Sequence, residues 1–279
     1  MTEGTFILIG GALMAAGLAA SLLAGRLRVP GLVLFLALGM AIGSDGLALI
    51  DFTDYDAARV IGIIALALIL FEGGLGAGYR EIRPVLFSAL SLAVVGTLVT
   101  AVITGLAAAW VFDFSTLEGL LIGSVLASTD GAAIFALLRG STLRRKLART
   151  LEGEAGFNDP VAVLLVLGFT EWILEPDYGV EDMALQFVVE LGIGLVVGLA
   201  VGALAVAAFR RAQLATGGLY PVASLTAAAL AFGLADVLHG SGFLAVYLTG
   251  LALGTAVIPA KRTVTALSLI HISEPTRPY

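Results

Sequence analysis

Leu126-Ala127-Ser128-Thr129-Asp130-Gly131-Ala132-Ala133 and, further along, Leu151-Glu152-Gly153-Glu154-Ala155-Gly156-Phe157-Asn158-Asp159-Pro160 place carboxylates and helix-breaking residues inside two runs apolar enough to span a membrane. Hydrocarbon gives a bare charge no solvation, so an ionisable group at that depth is first of all a functional candidate. The plainer alternative is a polar contact or cap between helices. Two such segments in one chain imply a path for an ion.

Composition sets the class around these segments. Of 279 residues, 59% are hydrophobic and 13% charged, and mean hydropathy is +1.04. Soluble domains carry roughly 45–50% apolar and about 25% charged residues, so the expected fold is all-α and polytopic in a membrane. Cys is absent, which excludes disulfides and thiolate metal sites. Met1-Thr2-Glu3 lacks the basic start of a signal peptide, so the first apolar run is expected to stay as a helix. The sequence carries no phosphate loop, metal-ligand cluster or nucleophile triad. An enzyme, a cofactor and a nucleic-acid partner are therefore not expected, and the lipid bilayer is.

Apolar runs fall near 5–25, 30–50, 59–78, 85–112, 117–138, 147–174, 184–209, 218–238 and 242–260, each about the length a bilayer needs. Nine helices are predicted. Basic residues then occupy alternate connections: Arg26 and Arg28; Arg80 and Arg83; Arg139, Arg144, Arg145, Lys146 and Arg149; Arg210 and Arg211; Lys261 and Arg262. The other connections are acidic, with Asp45, Asp51, Asp54 and Asp56, then Asp113 and Glu118, then Glu171, Glu175, Asp177, Glu181 and Asp182, and Asp236. The positive-inside rule puts the N-terminus outside and the Arg-rich connection in the cytoplasm, where that cluster needs no role beyond fixing topology.

The final residues break this pattern. Leu267 to Arg277 back-translates as a transposon-end library adapter, and such scars lie outside fold reasoning. The expected organisation is a transmembrane domain over 1–266, C-terminally truncated, and an adapter-derived tail over 267–279.

Depth can be read from helical rise. Asp130 lies some 13 residues into the fifth run, about 20 Å at 1.5 Å per residue. Asn158 and Asp159 lie 11 to 12 residues into the sixth, about 17 Å along. Both acids reach the middle of a core about 30 Å thick, facing one another across an antiparallel pair. Ser128-Thr129-Asp130-Gly131 combines side chains that compete for backbone hydrogen bonds with a permissive Gly. Pro160 frees the carbonyl of Gly156 and biases Asp159 away from helical geometry, so broken backbone is predicted on both runs. Unwound backbone at the midplane offers carbonyls and a helix-dipole end to an ion, and oxygen-only ligands suit an alkali cation or a proton. Burial penalises the charged form of a carboxyl group, so it can hold a proton near neutrality and release it as a cation arrives. One site that takes either ligand, but not both, exchanges them without a second pathway.

Thr129-Asp130, with Glu154 and Asn158-Asp159, resembles the ion-binding motifs of the cation/proton antiporter superfamily at matching spacing. The chain is most similar to its bacterial potassium/proton antiporters of the cell volume regulation A type. Leu68 to Gly74, Glu118 to Gly123 and Gly240 to Leu248 support the resemblance, which covers about residues 5–262. It implies the N-terminal part of an inverted-repeat antiporter fold with discontinuous helices, in a bacterial inner membrane. It implies that Asp159 binds proton and cation alternately, that Asp130 and Thr129 contribute from the unwound fifth helix, with the monovalent cation at Asp130 and Asp159, and that Asn158 orients the site. An Asn-Asp pair marks the branch expected to be electroneutral. Glu154 would meet a basic residue on a later helix. Ala155 stands where members often carry a hydroxyl, which removes one ligand. Potassium is favoured over sodium as the exchanged ion; a sodium/proton antiporter and, from another class, a cation channel are the alternatives.

Glu72 precedes Gly73-Gly74 and either lines an inner funnel or reaches the cytoplasmic interface; Ser128 is a further accessory candidate. Glu152 reads as a residue at the start of its helix. His239 lies in an outer connection, where it is solvated or senses pH. Gly194, Gly198 and Gly202 recur every four residues, a spacing that lets helices approach closely, within the chain or within a homodimer.

Overall fold

Hydrocarbon cannot hydrogen-bond a backbone, so long apolar runs satisfy their N–H and C=O groups by forming helices. The computed structural model describes residues 3–27, 31–43, 46–48, 54–129, 145–211 and 219–256. Each of the nine apolar runs carries a helix there: α1 (Glu3–Leu27), α2 (Gly31–Ile42), α3 (Tyr55–Ala77), α4 (Tyr79–Phe112), α5 (Thr116–Ala127), α6 (Arg145–Leu174), α7 (Val180–Arg211), α8 (Leu219–Val237) and α9 (Gly242–Thr255). Five of them, α3, α4, α6, α7 and α8, are long and apolar enough to cross a membrane, and the apolar stretches of the other four are shorter. Asp130, the Arg139–Arg144 connection and the tail at 267–279 lie outside the described residues.

The chain divides into two compact units, 1–62 and 63–279. In the first, α1 packs along α2, and the Phe35 ring comes within 4.0 Å of where a side chain at Gly17 would begin. The second holds the candidate site. Its centre is α6, whose most apolar stretch is 50% buried, against 22–33% for the other four membrane-length helices.

Glycine determines how closely the helices meet α5 and α9. On the α4–α5 hairpin, a Cβ on Gly105 would stand 2.8 Å from the carbonyl oxygen of Gly119, and one on Gly119 would stand 2.7 Å from the Ala109 methyl. On the other side, Gly194, Gly198 and Gly202 of α7 receive Ser241, Ala245 and Ala252 from α9. The Thr249 hydroxyl donates across that contact to the Gly198 carbonyl at 3.2 Å. The four-residue glycine stripe is thus filled by the chain's own α9, and it supplies no face for a dimer.

Two helices depart from the sequence expectation. α4 narrows to a 3₁₀ turn at Arg83–Val85, where Pro84 has no N–H to give, and widens to a π turn at Leu92–Gly96 against α6. α6 stays helical through Pro160, so the predicted departure of Asp159 from helical geometry does not occur. A proline removes one hydrogen bond, and packing on neighbouring helices can carry a helix across it; Pro160, Val161 and Leu165 are buried in this way. The predicted break does occur on the partner helix: α5 stops at Ala127, and Ser128 is extended (φ −71°, ψ 138°).

Candidate functional site

The end of α5 is where the site begins. Once Ser128 and Thr129 leave the helix, the carbonyls of the last turn lose their intrahelical donors. The two hydroxyls leave the helix with them and meet α6. Ser128 Oγ donates to Asp159 Oδ1 at 2.5 Å. Thr129 Oγ1 accepts from Asn158 Nδ2 and donates to Glu154 Oε1 at 3.3 Å. The same Nδ2 donates to Glu154 Oε1 at 3.1 Å, across the i, i+4 step that puts the two side chains on one helix face.

These contacts fix the Asn158 amide. Its nitrogen faces the Thr129 hydroxyl and the Glu154 carboxylate, so its oxygen must point elsewhere. Asn158 is 0% exposed, and its Oδ1 has no hydrogen-bond partner among the described residues. Asp159 and Glu154 are half-buried. The assembly presents carboxylate, hydroxyl and amide oxygens, all hard ligands suited to a cation that keeps an oxygen shell.

Of the residues singled out by sequence, Ser128, Thr129, Glu154, Asn158 and Asp159 are therefore brought together. Glu72 lies on α3 two residues before Gly74, where α3 presses its backbone onto Tyr247, Gly250 and Leu251 of α9. Glu154 has Thr129 and Asn158 as hydrogen-bond partners. His239 sits in the connection after α8 with a left-handed backbone (φ 58°).

Sequence reasoning missed two features. Arg149, read as a topology signal, binds Glu152 at 2.5 Å and also Glu81 at the start of α4. Glu152 is thus an ion-pair partner rather than a solvated residue at a helix start, and the i, i+3 spacing of 149 and 152 was the available signal. The second feature is Tyr247, whose ring meets the Phe157 ring edge-on at 5.0 Å and 78°. Outside the spans, the Tyr178 phenol donates to Gln186, and burial with neighbouring Glu171, Asp182 and Glu190 pushes its pKa up. It remains a neutral donor.

The family described as "Sodium/hydrogen exchanger, transmembrane" matches residues 12–272. The chain is 39% identical over 252 residues to a protein named K(+)/H(+) antiporter NhaP2 from Shewanella sp. (strain ANA-3), covering 90% of this chain and 44% of that one. It is 37% identical over 255 residues to the K(+)/H(+) antiporter NhaP of Alkalimonas amylolytica, again covering 44% of the relative. The chain thus spans less than half the length of these relatives. Among solved structures, the sodium proton antiporter MjNhaP1 from Methanocaldococcus jannaschii at pH 8 superposes with a TM-score of 0.78 at 24% identity, over 94% of this chain and 66% of that one. That likeness speaks to the fold.

Proposed function

The chain belongs to the sodium/hydrogen exchanger family, a family of multi-pass membrane proteins, and we propose that it exchanges a monovalent cation for a proton at Asp159. The supporting observation is the set of contacts between the unwound end of α5 and α6: Ser128 on Asp159, and Thr129 with Glu154 on Asn158. A carboxylate at this depth is poorly solvated, so it is either protonated or held against a cation. With Asp159 ionised, the Ser128 hydroxyl donates to it. As a cation arrives, the hydroxyl turns its oxygen toward the ion, and Asn158 Oδ1 completes the near side. With Asp159 protonated, the cation has lost its counter-charge and leaves. Asp130 is the second acid of the proposed cation site.

One carboxylate trading one charge for another makes the exchange electroneutral. Potassium is the favoured ion, since the relatives at 37–39% identity are named potassium/proton antiporters. Sodium is the second reading, supported by a 28% identical relative, the Na(+)/H(+) antiporter ApNhaP of Aphanothece halophytica. The proposed setting is a bacterial inner membrane, with the N-terminus outside and the Arg-rich connection in the cytoplasm.

The test is Asp159→Asn in the full-length gene product, in everted vesicles where cation-induced proton movement is read by fluorescence dequenching. Exchange is expected to vanish at normal expression. Normal dequenching would refute the assignment, and a sustained current without proton counterflow would indicate a cation channel.

A further inference from the structure

Residues three, four and seven apart share a helix face, so Glu152, Gly156 and Asp159 line one side of α6. Gly156 leaves a gap between the two acids, and another helix fills it. A Cβ on Gly156 would stand 2.6 Å from the Tyr247 hydroxyl oxygen and would overlap the ring. Tyr247, on α9, is 1% exposed. Its hydroxyl has no hydrogen-bond partner among the described residues. A buried hydroxyl left unpaired is costly, and a phenylalanine would fill the same gap without that cost. On the same turn of α6, Pro160 has no N–H to offer the Gly156 carbonyl. An unpaired donor and a carbonyl without its helical donor thus meet one turn from Asp159.

We propose that Tyr247 is a positioning residue for the exchange, its ring holding the Gly156 gap and its hydroxyl donating to the Gly156 carbonyl in the state where Asp159 has given up its proton. A hydroxyl without a partner in one state and bonded in another belongs to a two-state element. The ionised and protonated forms of Asp159 are those two states. The charged groups around it are few. Glu152 lies beside the hydroxyl, and Arg149 holds Glu152 while also gripping Glu81 of α4. Glu154 and Asp159 follow on α6, and Glu72 is on α3, which packs on the Tyr247 backbone. With Arg149 fixing Glu152, the group free to change charge on this face is Asp159. The inference therefore rests on the reading of Asp159 as the exchange site.

The experiment compares Tyr247→Phe and Asp159→Asn with the unaltered full-length gene product, in everted vesicles, as potassium-driven proton flux across the pH range, with thermal stability measured alongside. Tyr247→Phe should fold at least as stably as the unaltered protein. Its maximal exchange should fall about tenfold, the worth of one good hydrogen bond, and its pH profile should shift. Unchanged rate and profile in Tyr247→Phe, with Asp159→Asn inactive, would overturn the role of Tyr247 alone. Failure of Tyr247→Phe to fold would make the hydroxyl structural and overturn it equally. Activity in Asp159→Asn would remove the reading of Asp159 and the role of Tyr247 with it.

Discussion

α5 has a serine and a glutamate working at each end, in opposite ways. At its start, Ser115 accepts from the Glu118 N–H at 3.3 Å, and the Glu118 carboxylate accepts from the Ser115 N–H at 2.9 Å. This capping box satisfies the helix from within itself. At its finish, Ser128 and Thr129 spend their hydroxyls on Asp159, Asn158 and Glu154 of another helix, and Ser128 caps nothing. Between the two, Gly119 and Gly123 set α5 against the backbone of α4, so the unwound end has a rigid base. A closed end stabilises the fold, and an open end leaves backbone and side-chain oxygens for a ligand.

The same substitution at both ends sharpens that contrast. Ser128→Ala should have the larger effect, because it removes a charge-assisted hydrogen bond to Asp159 and an oxygen from the cation's shell. A loss of about ten- to a hundredfold in apparent cation affinity is expected, with little change in thermal stability, measured as flux against cation concentration in everted vesicles. Ser115→Ala should have the smaller effect. The loss of a helix cap costs on the order of 1 kcal/mol, seen as a modestly lower melting temperature, while exchange per folded molecule stays unchanged. If Ser128→Ala lowered only stability, or Ser115→Ala lowered only exchange, the division between the two ends would fail.

How far the sequence revealed this site depends on how local each signal was. The break after Ala127 was legible, because Ser, Thr, Asp and Gly in succession oppose a helix by their own chemistry. The pairing of 128–129 with 154–159 was legible too, since depth counting put both at one level. Pro160 misled: its local effect favours a break, and burial of Pro160, Val161 and Leu165 overrode it. Tyr247 was out of reach of local reading, because nothing near residue 247 says that a glycine on α6 leaves room for its ring. The stripe of Gly194, Gly198 and Gly202 showed that something packs closely there, while its occupant, α9, could be known only from the fold.

The central claim is that Asp159 carries proton and cation by turns, and competition between the two ligands tests it most directly. Half-saturating potassium for exchange should be measured as pH is lowered. If one carboxylate serves both, half-saturation should rise by about tenfold for each pH unit once the site is protonated, the slope set by one bound proton, while the maximal rate at saturating potassium holds. A half-saturation that stays constant as pH falls, with only the maximal rate declining, would place proton and cation on separate groups and contradict the account.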